Sequence, residues 1–255
     1  MNPLQQALLE KIGNDNGFEH LLSATEEAIT LASARHKTVI CVSAPAKQFE
    51  VQIESASPSL QPELTRNFPL SANGNASFVV STEAALATLL RRIAGLARAL
   101  PNAAVNAYTQ AVSDEIAALP ATLQGTEVER LVRQRVGQQK FREAMLDYWG
   151  SACAVTGIAL PAVLRASHAK PWAECASDAE RLDVFNGFLL SANLDALFDK
   201  FLISFDGVGK ILISDTLTAA DLAALGLTTE QKLRWLAPAH EKYLEYHRSR
   251  LQYCP

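Results

Sequence analysis

Residues 164–205, LRASHAKPWAECASDAERLDVFNGFLLSANLDALFDKFLISF, constrain this chain more than any other stretch. Three polar signals stand in it: His168 in ASHAKPW, Asn186 in FNGFLL, and Asp195 with Asp199 in NLDALFD. Around them the pattern reads strand, loop, strand, helix. FNGFLLS is a short apolar run opening at Asn-Gly. NLDALFDKF has a capping-type Asn193, with apolar Leu194, Leu197, Phe198 and Phe201 at helical spacing. A histidine on one strand facing an acid on the following helix suits one divalent metal and one general base working on a phosphodiester. Neutral histidine is the natural base near pH 7.

Composition narrows the class. With 49% hydrophobic and 20% charged residues in 255, the chain has ample material for one large or two ordinary globular domains. Its net charge of −4 argues against non-specific coating of nucleic acid but leaves room for a local basic face. Cys41, Cys153, Cys175 and Cys254 form no CxxC, so a tetra-cysteine zinc site is not expected, and scattered thiols point to a reducing compartment. The opening MNPLQQALLEKIGNDNG reads as a short amphipathic stretch rather than a signal peptide, and no apolar run reaches bilayer length. A cytoplasmic protein with no membrane partner is expected.

Along the chain, 3–12 and 19–36 read as helices, the second with a stripe of Leu21, Leu22, Ala28, Ile29, Leu31 and Ala32. Strands are expected at 38–43, 47–55 and 76–81, with a turn region at 57–62. Helices follow at 83–100, starting at Ser81 or Thr82, and at about 102–118. His20 and His36 read as ordinary surface or helix-end residues. Residues 1–118 thus form an α+β domain with about three strands, and LPATLQGT, 119–126, is the linker. The second domain, 127–255, opens with a helix to 150 that should break at Gly137. Its Arg135, Lys140 and Arg142 fall in the most basic stretch of the chain and are candidates to grip phosphate. The tail reads as helices at 219–226 and 229–252, kinked near Pro238, with His240 and His247 structural.

The motifs ASHAKPW, LDVFNGFLL and DALFD, preceded by 135-RVGQQKFREAMLDYWGSACAVTG-157 and followed by 202-LISFDGVGKILIS-214, resemble the HNH endonuclease superfamily, in a bacterial restriction-type branch. The resemblance covers roughly residues 130–215. It implies a ββα-metal domain behind an N-terminal α+β domain, and a nuclease acting on DNA. By that resemblance His168 is the general base, and Asn186 braces the loop and orients it. Asp195 takes the place of the family's final histidine as a metal ligand, with Asp199 one turn later. Ser167 stands where many members have an acid, so the first-strand ligand is a hydroxyl, a backbone carbonyl or a residue elsewhere. Carboxylates favour one hard ion per site, Mg²⁺ or Mn²⁺, over structural zinc. Lys170 is placed to contact phosphate, Trp172 to pack, and Cys153 to be a buried thiol. Asp183 belongs to the pattern without an evident role.

Such modules stand behind reader domains in restriction and phage-defence proteins, so an N-terminal domain choosing target, possibly modified, DNA is expected. A homodimer would be the simple route to a double-strand break. Two rivals follow: a nuclease licensed by a small-molecule or protein signal, and a non-catalytic DNA-binding module.

Overall fold

The computed structural model describes residues 1–45, 48–73, 77–120 and 125–251. It is mixed α and β, and the chain divides into two compact units, Met1–Ala103 and Ala104–Pro255. The expected linker, 119–126, lies in large part outside the described residues. No helix among the described residues is long and apolar enough to cross a membrane.

The first unit begins with α1 (Pro3–Asp15), capped reciprocally by Asn2 and Gln5. Five strands follow in sequence order: β1 (His20–Ala24), β2 (Ala28–Ala32), β3 (Val39–Ser43), β4 (Phe49–Glu54) and, after α2 (Leu60–Asn67), β5 (Ser77–Val80). All neighbours pair antiparallel. Ile29, Leu31, Ile40, Val42 and Val51 alternate onto a buried face. Helix α3 (Glu83–Ala99), capped by Thr82, adds Leu86, Leu89, Leu90, Ile93 and Leu96, all fully buried.

Two expectations fail here, each for a physical reason, and the turn expected at 57–62 is found but is followed at once by a helix. Residues 19–36 are not a helix but the β1–β2 hairpin, whose turn is closed by Thr25 and Ala28. The apolar positions fit both periods, and Ile29-Thr30-Leu31 alternation is the one that can pair with β3. The sheet therefore has five strands, not three. The 57–62 region does not only turn: it opens α2, with Pro62 in the first turn, where its missing N–H has no intrahelical partner to lose.

His36 is not an ordinary surface residue. Its ring meets Phe18 edge-on at 5.1 Å, and neither ring nitrogen has a hydrogen-bond partner among the described residues. Burial, aided by the Arg98 charge, lowers its pKa from 6.5 to about 4. The folded form is neutral, so proton uptake below pH 6.5 favours the unfolded chain. The stability present above pH 6.5 is lost as pH falls toward 4, by at most about 1.4 kcal/mol per pH unit. Urea unfolding of this unit at pH 7.5, 6 and 5 checks this, and His36→Leu should flatten the slope.

In the second unit, α4 (Ala103–Ala117) is followed by α5 (Thr126–Trp149), which ends at a left-handed Gly150. Then come β6 (Leu164–His168), the short α6 (Asp178–Arg181), β7 (Gly187–Ser191) and α7 (Ala192–Asp199). A small hairpin, β8 (Ile203–Phe205) and β9 (Ile211–Ile213), precedes α8 (Ala219–Leu225) and α9 (Glu241–Arg248). Strands β6 and β7 pair antiparallel, and α7 packs on both, giving a ββα unit. Tyr148 and Trp149 of α5, Phe188 of β7, Phe198 of α7 and Phe205 of β8 are fully buried in one aromatic core.

Helix α5 does not break at Gly137. The glycine is there for space: a Cβ on it would lie 2.3 Å from the Trp172 indole. The expected helix 229–252 shrinks to a 3₁₀ turn, Pro238–His240, and α9. The chain before Pro238 is held extended instead. Leu233 N–H donates to Gly209, Arg234 N–H to Ala154, and the Trp235 ring stacks on Trp149 at 4.4 Å.

Candidate active site

His168 is the last residue of β6 and lies opposite Gly187 in the ladder. A Cβ at Gly187 would stand 2.1 Å from the Ser167 carbonyl oxygen, so glycine is what lets the two strands close at this point. The imidazole stacks on Phe141 of α5 at 3.7 Å and meets Trp172 edge-on at 5.7 Å. Its Nε2 lies 2.8 Å from the Arg181 carbonyl oxygen. A carbonyl only accepts, so Nε2 carries the proton and Nδ1 keeps its lone pair. Burial lowers the pKa to about 4, the Arg181 carbonyl opposing it, and the ring is neutral at pH 7.

Two residues hold the loop between the strands. Asn186, fully buried, accepts from Lys170 N–H at 2.8 Å and donates to the carbonyls of Lys170 and Glu180 at 3.2 and 3.1 Å. Arg181 donates to the carbonyls of Trp172 and Cys175 and to Asp178. The carbonyl that fixes His168 therefore belongs to a residue anchored by its own side chain. Asp183 caps the 3₁₀ turn leading into Asn186, bonding Phe185 N–H and the Tyr243 hydroxyl, both at 2.9 Å. That is a structural role for a residue the sequence left unassigned.

His168 and Asp199 line one cleft of about 360 Å³, together with Trp172, Lys200, Phe201 and His247. Asp199 is exposed at its edge, yet the cleft walls and then the Asp195 charge raise its carboxyl to about pKa 6, against the pull of Lys200. Asp195 and Ser167 are not among the residues lining the cleft and bond each other: the Ser167 hydroxyl, itself buried, donates to Asp195 at 2.6 Å. Among the described residues no group of three or more His, Cys, Asp or Glu side chains gathers in metal-binding geometry. What the fold offers on α7 and β6 is two carboxylates and a hydroxyl, an all-oxygen donor set. His247 lines the cleft, but both its nitrogens are occupied, by Ser204 Oγ and the Phe198 carbonyl. His240 is buried too, and bonded to Ala237.

The basic residues are already engaged. Arg135 pairs with Glu115, Lys140 with Glu143 at 2.8 Å, and Lys170 with Glu180 at 2.8 Å. The exposed pairs are worth little and can be exchanged for phosphate. Arg142 differs: it donates to the carbonyls of Leu164 and Pro161, pinning the start of β6. Cys153 is fully buried, with Thr156 N–H donating to its sulfur. Sequence reasoning missed Arg181, since no sequence pattern marks a backbone carbonyl as a histidine's partner. It also missed Phe141 as the surface against which the imidazole lies.

Compared with known proteins, no curated protein matches the chain. A family model described as HNH endonuclease matches residues 153–206. That segment holds β6, β7, α7 and β8, with His168, Asn186, Asp195 and Asp199 inside it. The C-terminal half of this chain therefore contains an HNH endonuclease domain.

Proposed function

We propose that the C-terminal unit is a metal-dependent endonuclease that hydrolyses DNA phosphodiester bonds with His168 as its general base. The observation that carries this reading is the bond of Nε2 to the Arg181 carbonyl, which orients the ring and leaves Nδ1 as the basic nitrogen. His168 Nδ1 takes the proton of the attacking water as its oxygen bonds to phosphorus and the P–O bond to the leaving strand breaks. Stacking on Phe141 and the bond to Arg181 hold the ring at one angle throughout. Asn186 keeps the loop that carries Arg181 closed over β6.

Asp195 and Asp199, with Ser167, would hold one Mg²⁺ or Mn²⁺. The donor set fits such an ion: hard oxygens, with Asp199 raised by burial and then by the neighbouring Asp195 charge, a destabilised carboxylate that a cation would relieve. Few protein ligands suit ions that keep several waters. When bound, the ion stabilises charge on the phosphate and the leaving oxygen. Lys170, Arg135 and Lys140 would exchange their carboxylate partners for phosphate. A homodimer would let two sites cut two strands, and the first unit would select the target, modified or foreign DNA in a cytoplasmic restriction or phage-defence role.

The test is cleavage of methylated and unmethylated plasmids over a Mn²⁺ titration by wild type, Asp195→Asn and Asp199→Asn. Each variant should need more Mn²⁺ and cut roughly 10- to 100-fold more slowly, as a lost or misaligned ligand does. Unchanged metal dependence in both variants would overturn the ligand assignment. DNA binding without cutting by wild type under any metal would favour the non-catalytic module, for which the serine at 167 speaks.

A further inference from the structure

A second cavity, of about 490 Å³, lies in the same unit and is also lined by Trp172. Arg130 and Arg133 of α5 line it, with Arg181 and Trp172. Trp172 is thus a wall of both this cavity and the cleft that holds His168. The guanidinium groups here are each paired: Arg130 with Glu127 at 3.0 Å, Arg133 with Glu129 at 2.8 Å and the part-buried Arg181 with Asp178 at 2.9 Å. The two exposed pairs, those of Arg130 and Arg133, open readily to a competing anion. At the lip of the His168 cleft stands Phe201, with φ of +55°, a left-handed backbone that a side chain other than glycine rarely adopts. Its ring lies against His247 at 4.8 Å and 5.9 Å from the Arg250 guanidinium, at the mouth of the cleft that holds His168.

Together these features are two recesses that share Trp172 as a wall, one lined by guanidinium groups and the other by Phe201. A base inside a duplex is stacked on its neighbours and cannot enter a recess to lie on a protein ring; an unpaired base can. Each cavity is of the size that takes a small ligand. We propose that the two cavities, joined at Trp172, form a track for an unpaired DNA strand. Bases flanking the scissile phosphate stack on Trp172 and Phe201, and the adjoining phosphate sits against Arg130 and Arg133. The preferred substrate of the site is then single-stranded or locally opened DNA. This deepens the nuclease reading and rests on it for the position of the scissile bond.

The experiment measures binding of the full chain in EDTA, where cutting is not the readout, to a fluorescein-labelled 12-nucleotide strand and to its blunt duplex. The strand should bind at least about 10-fold more tightly. Trp172→Ala and Phe201→Gly should each weaken it by about 5-fold or more, as loss of one stacked base does. Phe201→Tyr, which keeps the ring face, should not. Phe201→Gly suits the left-handed backbone and should fold; circular dichroism verifies both variants. Equal affinity for strand and duplex, or folded variants that bind the strand like wild type, would overturn the track. If wild type then still cuts duplex with Mn²⁺, the nuclease reading stands without it. Strand binding lost in the variants, with no cutting under any metal, would instead keep the track and remove the nuclease.

Discussion

Replacing His168 with alanine should slow single-turnover cleavage of an oligonucleotide about 10²- to 10⁴-fold while leaving its affinity nearly unchanged. General-base removal costs that much. Binding is spared because His168 offers the substrate one lone pair and no charge: its pKa of about 4 leaves it neutral at pH 7. The loss should belong to the base and not to the fold. The imidazole stacks on Phe141, so truncation opens a gap against that ring and costs about 1–3 kcal/mol of stability. His168→Phe, with the stack kept and the base removed, separates the two: a rate as low as alanine's with stability above alanine's is expected, the Arg181 carbonyl being left unbonded in both. A rate in His168→Phe close to wild type would place the base elsewhere.

The largest structural effect is expected from Gly187→Ala. The added methyl would lie 2.1 Å from the Ser167 carbonyl oxygen and 3.0 Å from the Phe141 ring. The first obstacle is backbone in a paired strand and cannot rotate away. Gly187 is extended, so no strain in φ is involved; the cost is the forced separation of β6 from β7 where His168 pairs. Destabilisation of about 4 kcal/mol or more is expected, in the range reserved for core disruption. Urea unfolding measures it, with Gly137→Ala as the comparison. There a Cβ meets the Trp172 ring rather than backbone, and a side chain can shift. A variant Gly187→Ala as stable as Gly137→Ala would mean the strands do not close as described.

The sequence showed the ββα core well because its local signals agree with its tertiary ones. An apolar run opening at Asn-Gly becomes β7, and the Leu194, Leu197, Phe198 stripe becomes the buried face of α7. Elsewhere local patterns were ambiguous. The stripe in 19–36 fits helix and strand alike, and only pairing with β3 decides it. Gly137 resembles a breaker until Trp172, 35 positions later, is seen against it. Residues 229–237 carry a helical pattern but bond to Gly209 and Ala154 instead. In the site, side-chain identities were legible and their partners were not. That the Arg181 carbonyl holds His168, and that Ser167 bonds Asp195, are facts of the folded loop. Arg142 read as a phosphate contact because charge is visible in a sequence, whereas the carbonyls of Leu164 and Pro161 that it binds are not.

The measurement closest to the central claim is relaxation of a supercoiled plasmid carrying a short unpaired bubble, by wild type with Mn²⁺ and with EDTA. Nicked or linear product with Mn²⁺ and none with EDTA is the predicted result. Equal product in EDTA, or no product with Mn²⁺ or Mg²⁺ from folded protein that binds the DNA, would contradict the account.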